Sequence, residues 1–171
     1  MKTLTIFTPT YNRAHTLVRT YNSLCQQTCK DFEWLIIDDG STDNTRVVVE
    51  KWICKSDFKI RYIYKENGGL YTGYNTAYAN IETELNVCVD SDDYMPNNAV
   101  ELILNIWKNW GNDKYGGIIG LDFYHIKNIP IGGFFSKDLK EVYFLDCFVL
   151  RTFLKVVVSL NFLGYCDIVG I

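Results

Sequence analysis

The sequence is short of what would direct a chain to nucleic acid, to a bilayer or to an oxidising compartment. Its 17 basic residues are outnumbered by 20 acidic ones, giving a formal net charge of −3. No overall positive field therefore draws nucleic acid or an anionic membrane. The six cysteines, at positions 25, 29, 54, 88, 147 and 166, include no CxxC pair, and neither His15 nor His125 stands at metal-ligand spacing. Neither a zinc site nor a disulfide scaffold is indicated, and reduced thiols in a cytosolic protein are expected. The opening MKTLTIFTPTYNR has no basic region followed by an apolar stretch, so it reads as a strand and not as an export signal. The apolar run from Val156 to Cys166, flanked by Arg151, Lys155 and Asp167, falls well short of the roughly 20 residues that a bilayer-spanning helix needs. Only three prolines are present, and there is no repeat, low-complexity tract or Pro/Ser-rich linker.

What the chain has is a globular composition. Its 171 residues are 48% apolar and 22% charged, which suits one domain around one core. Apolar, β-branched runs alternate with helical patterns: Leu4 to Thr8, Trp34 to Ile37, Ile60 to Tyr64 and Leu85 to Val89 each precede a predicted helix. That alternation predicts an α/β fold with a mainly parallel sheet. In the first helix Ala14, Leu17, Val18, Tyr21, Leu24 and Cys25 recur at the spacing of a single apolar stripe, with a polar opposite face. Ser41 or Thr42 is expected to cap a second helix that turns Val48, Val49, Trp52 and Ile53 inward. A fourth helix is expected to start at Pro96 and to present Ala99, Ile103, Ile106, Trp107 and Trp110.

Each strand runs into a polar or glycine-bearing loop: Pro9-Thr10-Tyr11-Asn12, Asp38-Asp39-Gly40-Ser41, Asn67-Gly68-Gly69 and Asp90-Ser91-Asp92-Asp93. In open α/β sheets such carboxyl-end loops form the ligand crevice. The acidic turn carries the most chemistry, because carboxylates that close repel one another unless a cation sits among them. A hard divalent ion such as Mg²⁺ or Mn²⁺, with its own hold on a diphosphate, supplies that charge. A solvated turn capping the next helix is the alternative.

At Asp38-Asp39-Gly40-Ser41-Thr42-Asp43 a carboxylate can accept a hydrogen bond from a pyrimidine ring N–H, while Gly40 permits a sharp turn. Turn and cap roles are equally open to these residues. Asn67-Gly68-Gly69, ahead of a helical stretch from Leu70 to Asn80, can bring backbone N–H groups to phosphate or sugar, or simply supply a turn of positive φ. Lys65 could face the nucleotide, but is expected to be an exposed strand-end lysine. The two histidines have no matched partners and are expected in solvent or core roles.

Taken together and in order, Thr8-Pro9-Thr10-Tyr11-Asn12-Arg13, Asp38-Asp39-Gly40-Ser41-Thr42-Asp43, Glu66-Asn67-Gly68-Gly69 and Asp90-Ser91-Asp92-Asp93 resemble the family 2 inverting glycosyltransferases of GT-A fold. The resemblance covers roughly residues 3–125, and each motif alone would be weak. It implies a Rossmann-like α/β sandwich that binds a nucleotide sugar at the loops holding Pro9, Tyr11, Asp38, Asp39, Asn67, Gly68 and Asp90. Tyr11 would stack on the nucleobase, Asp39 would take the base N–H with Asp38 behind it, and Asp90 would approach the ribose. Asp92 would hold Mg²⁺ or Mn²⁺, with Asp93 the alternative ligand.

The implied reaction is transfer of a sugar from a nucleoside-diphosphate donor, UDP-sugar first among them, to an acceptor hydroxyl with inversion. Polysaccharide or glycoconjugate synthesis is the implied setting, with a saccharide or lipid-linked acceptor. The implied place is the cytoplasm, at the inner face of a membrane if peripherally associated. Residues 1–125 would be the nucleotide-sugar-binding domain, and residues 126–171 a partial or divergent acceptor-side segment that is not an independent domain.

Family members carry a general base well beyond the acidic motif, and here the text after Val142 turns into an apolar tail that does not match the acceptor-binding half. The expectation is a truncated or out-of-frame ending, or else a helix through Phe148, Thr152, Lys155 and Ser159. Asp146 and Asp167 are available carboxylates, and no catalytic residue is assigned. A nucleotide-sugar-binding module without turnover is therefore the alternative function. A nucleotidyltransferase would show a Gly-rich basic signature where Thr8-Pro9-Thr10-Tyr11 stands, and a dinucleotide dehydrogenase would show GxGxxG.

Overall fold

The computed structural model describes residues 3–111, 115–119, 123–124, 129–130, 141–143 and 167–170. Strands β1 (Leu4–Thr10), β2 (Phe32–Asp38), β3 (Lys59–Tyr64) and β4 (Leu85–Cys88) form one parallel sheet in the order β3-β2-β1-β4. Leu4 lies level with Phe32 on one side and Leu85 on the other. Every residue of β1 and β2 is buried, as continuous apolar runs are when helices cover both faces of a parallel sheet.

The helices α1 (Ala14–Cys25), α2 (Thr45–Ile53) and α3 (Leu70–Asn80) follow β1, β2 and β3, and α4 (Ala99–Trp110) follows β4. Side chains alternate across the pleat, so Leu4, Ile6, Trp34 and Ile36 share one core with Leu17, Leu24, Val49, Trp52, Ala99 and Ile103. Phe7, Leu35 and Ile37 face the other way, onto Ala77 of α3. Within the larger core the Tyr21 and Trp52 rings stack with centroids 4.4 Å apart, and the Trp34 indole donates to Thr8 at 2.9 Å. That bond satisfies an N–H that would be costly to bury alone.

The smaller core depends on a close approach. A Cβ added to Gly73 would lie 3.3 Å from Cβ of Pro9, so α3 sits tightly over the carboxyl end of β1. The chain builds outward from β1 to β3 and then returns to place β4 on the other side of β1. The gap between β1 and β4 is where the strand order reverses, which is the place a doubly wound sheet offers a ligand.

Several local expectations are corrected. In α1 the buried residues are Leu17, Thr20, Ser23 and Leu24, whereas Val18 and Cys25 are exposed; two polar residues take places assigned to apolar ones. Helix α2 starts at Thr45, so its N-cap position is Asn44 and not Ser41 or Thr42. There Asp43 accepts the Thr45 amide at 2.9 Å, and Ile53 faces solvent. Helix α4 starts at Ala99, because Pro96 and Asn97 are engaged in a turn against α1.

Past α4, β5 (Tyr115–Ile119) pairs antiparallel with β9 (Asp167–Gly170), which runs parallel to β8 (Glu141–Tyr143). β6 (Phe123–Tyr124) and β7 (Ile129–Pro130) form a separate pair. Asp167 opens β9 opposite Ile119. Asp146, His125, the expected helix from Phe148 to Ser159 and the run from Val156 to Cys166 lie outside the described residues. Among the described residues no helix is long and apolar enough to cross a membrane.

Candidate functional site

The four loops named from the sequence gather at the carboxyl edge of the sheet, and the residue that ties two of them together is Asp39. It follows β2 directly and is 5% exposed. Its Oδ1 accepts from Lys65 and from the Gly68 N–H at 3.0 Å, and its Oδ2 accepts from the Gly69 N–H at 2.8 Å. Asn67 adds a bond from its side-chain amide to the Asp39 carbonyl at 2.9 Å. Burial alone would raise the Asp39 pKa, but the Lys65 ammonium and the two glycine amides outweigh it and hold the carboxyl below its ordinary value. Lys65 is thus not an exposed strand-end lysine: its side chain is 21% exposed and ion-paired.

This closure requires glycine at two points. Gly40 has φ +86°, and a Cβ there would lie 2.8 Å from the Asn67 nitrogen; the left-handed turn lets the two loops touch. Gly69, also at φ +86°, precedes the first residue of α3. The Gly68 and Gly69 amides, candidates for phosphate or sugar, are directed in this structure at the Asp39 carboxylate.

Asp38 is fully buried. It accepts the Ser41 amide on Oδ1 at 2.8 Å and the Tyr62 hydroxyl on Oδ2, which braces the turn after β2 from beneath. Burial first, and then the bond to Asp38, push the Tyr62 hydroxyl pKa up. Asn12 takes the left-handed conformation, φ 52°, which asparagine tolerates better than most residues. From there its side-chain oxygen accepts from the Thr42 and Asp43 amides at 2.7 and 3.2 Å, while Ser41 Oγ accepts the Asn12 amide at 2.8 Å. The first two loops are stitched together on both sides.

Pro9 is buried in β1 against α3. Tyr11, one residue past β1, is 49% exposed and has its ring available. Across the strand-order reversal stands the acidic turn. Asp90, Asp92 and Asp93 are all exposed, and the Arg13 guanidinium lies 3.7 Å from Oδ2 of Asp92. Desolvation by the surrounding protein, then the charge of Asp92, raise the Asp90 carboxyl above its ordinary range. Cys88, just upstream, is pushed up to about 12 by burial, with a bond to the Tyr74 hydroxyl opposing the shift, so it offers no ready thiolate. Among the described residues no group of three or more His, Cys, Asp or Glu side chains converges as a metal site.

Tyr11 and the acidic turn therefore flank the reversal point of the strand order, with Asp39 buried in the adjoining loop closure. Not foreseen from the sequence were the pairing of Lys65 with Asp39, the bond from Tyr62 to Asp38 and the backbone grip of α1 on the acidic turn. For Lys65 the available signal was its place two residues before Asn67, level with the end of β2.

An α/β domain with an acidic loop at the strand-order reversal is the class that the fold and site define. The chain belongs to glycosyl transferase family 2, whose match runs over residues 5–153 and so reaches beyond residue 125. It is 38% identical over 101 residues to a chondroitin synthase of Pasteurella multocida, covering 59% of this chain and 10% of that protein. It is 29% identical to the poly(ribitol-phosphate) beta-N-acetylglucosaminyltransferase TarP of Staphylococcus aureus strain N315, over 94% of this chain and 51% of TarP. Among solved structures, TarS of S. aureus superposes with a TM-score of 0.61 at 28% identity, over 72% of this chain and 22% of TarS. TarS structures with UDP and with UDP-GlcNAc match equally well. The GT-A type α/β fold with a parallel central sheet is the one observed. The chain spans between one tenth and about half of the length of these relatives.

Proposed function

We propose that the chain binds a UDP-sugar at the crevice between β1 and β4 and belongs to an enzyme that transfers the sugar to an acceptor hydroxyl with inversion. The observation that carries this reading is the grouping at one sheet edge of an exposed ring, a closed Asp39 loop and an acidic turn. Tyr11 stacks on the base. Asp39 takes the ring N–H of uracil on Oδ2, which accepts from the Gly69 amide and retains acceptor capacity. Asp38 supports Asp39 from behind, Asp90 approaches the ribose, and Pro9, Asn67 and Gly68 shape the pocket floor. That TarS is bound to UDP and to UDP-GlcNAc in solved structures supports a uridine donor.

Mg²⁺ or Mn²⁺ fits the acidic turn chemically. Asp90, Asp92 and Asp93 stand exposed on one turn, oxygen donors of the kind a hard divalent ion takes, and Asp92 or Asp93 would hold the ion. With no three-ligand cluster among the described residues, the rest of its shell falls to diphosphate oxygens and water, as is usual for Mg²⁺. When bound, such an ion stabilises charge growing on the departing diphosphate. The chain's own residues orient the base and ribose and hold the donor's phosphates beside the turn. Residues 1–125 are the donor-binding part and 126–171 belong to the acceptor side, with a saccharide or lipid-linked acceptor. The setting is cytoplasmic, in keeping with the free thiols of Cys25, Cys29, Cys54 and Cys88.

Calorimetric titration with UDP, GDP, CDP and ADP, each with Mn²⁺ and with chelator, tests the reading. UDP is expected to bind best, and far more tightly with the metal than in chelator. Equal affinity in chelator would overturn the cation bridge, and a preference for a purine nucleotide would overturn the uridine assignment.

A further inference from the structure

The acidic turn after β4 is gripped through its backbone by one edge of α1. Thr20 is fully buried. A helical threonine commonly bonds back to its own preceding turn, but the Thr20 hydroxyl donates to the Asp93 carbonyl at 2.7 Å. One turn on, Ser23 donates to the Thr20 carbonyl at 2.8 Å and accepts the Met95 amide at 3.1 Å. Gln27, just past the helix, donates to the Pro96 carbonyl at 2.7 Å and accepts the Val100 amide at 3.1 Å. Asp93 closes the turn with its own amide, which donates to the Asp90 carbonyl at 3.0 Å. Positions 20, 23 and 27 are neighbours on a helical surface, so three polar residues line up along the whole span from the acidic turn to α4.

We infer that Thr20 is a positioning residue for the diphosphate and cation end of the donor site, acting through the Asp93 backbone. The inference rests on the donor-site reading above. A side chain of the same shape without the hydroxyl would still fill the interior, yet the Asp93 carbonyl would lose its buried partner. The turn would keep its ties to Arg19 and Ser23 but lose the one at Asp93, and its carboxylates would be held less firmly at the crevice. The hydroxyl therefore contributes geometry to the site beyond what packing alone requires.

The test uses the whole chain with Thr20→Val, and with Thr20→Ser as the variant that keeps the hydroxyl. UDP affinity is measured by calorimetry with and without Mn²⁺, and amide hydrogen exchange is followed at residues 91–95 and in the strands β1 to β3. In T20V, exchange is expected to quicken at 91–95 and not in the strands. The gain in UDP affinity produced by Mn²⁺ should fall by about 2- to 10-fold, the worth of one hydrogen bond, with metal-free affinity unchanged and T20S restoring the gain. A full metal gain in T20V, or an equal loss with and without metal, would overturn the inference. If the wild-type chain shows no metal gain, the cation reading falls by itself. Exchange then still decides for Thr20: quickening confined to 91–95 supports positioning, and unchanged exchange there overturns it.

Discussion

Arg13 and Asp92 face each other across the gap between β1 and β4, with guanidinium and carboxylate 3.7 Å apart. Both side chains are about half exposed, so the pair contributes little stability. Its importance is its place: an arginine already compensates the carboxylate that the donor-site reading gives to the cation. Replacing Asp92 by Ala is expected to remove most of the metal-dependent UDP affinity, and Asp93→Ala to remove less. Calorimetry in Mn²⁺ checks the ranking, and the reverse order would move the ligand to Asp93.

Tyr11 is about half exposed at the carboxyl end of β1. Tyr11→Ala should cost about 1–3 kcal/mol of UDP affinity, the range for a base stacked on an aromatic side chain. Tyr11→Phe should cost nothing measurable. A phenylalanine variant as weak as the alanine variant would assign the effect to the hydroxyl.

Asp39 has a folded-state pKa below its ordinary value near 3.8. On acidification the unfolded chain takes up this proton first, so the stability from Asp39 is complete above the ordinary value and is lost as pH falls through the folded one. Lys65→Met removes the paired ammonium, which raises the folded pKa and reduces that contribution. The variant should be less stable than wild type at neutral pH, with the difference shrinking at low pH in urea denaturation series from pH 7 to about pH 3. A stability difference independent of pH would show that the pair acts only by packing.

Gly40→Ala forces a Cβ to within 2.8 Å of the Asn67 nitrogen at φ +86°. Strain of this kind costs about 1–3 kcal/mol. The variant should both lose that stability in urea denaturation and bind UDP more weakly, since the loop closed on Asp39 must shift. Wild-type UDP binding in a destabilised variant would separate the loop closure from the site.

Asn86 is fully buried on β4, level with Thr5, and among the described residues neither polar atom of its side-chain amide has a hydrogen-bond partner. Asn86→Leu replaces those atoms by an apolar side chain of similar size, so thermal unfolding should show no loss of stability and a gain of about 1–3 kcal/mol, the penalty for unsatisfied buried polar groups. A clear loss would mean that the amide is bonded in solution.

The strands and the four loops were legible because their signals are local: apolar runs such as Leu4 to Thr8, and turn residues such as Gly40 whose need for positive φ depends on nothing distant. Thr20, Ser23 and Gln27 were not, because polar residues on an amphipathic helix read as its solvent side. Here they are buried against a turn some 73 positions away. The Lys65 pairing was hidden for a related reason: its partner Asp39 stands just past the end of the neighbouring strand, and pairing across a parallel sheet leaves no periodic trace in the sequence. Asp38 was placed behind Asp39, but its tie to the Tyr62 hydroxyl becomes visible only once β2 and β3 are in register.

The closure of the Asn67–Gly69 loop upon Asp39 also bears on rates. A loop that must order itself around a ligand slows association and subtracts its lost entropy from affinity. Here the loop's order is supplied by bonds within the protein, from the Gly68 and Gly69 amides and Lys65 to Asp39. Nucleotide arrival at that side of the crevice is then a single docking event, and differences among nucleotides should be expressed in how long they stay and not in how fast they arrive.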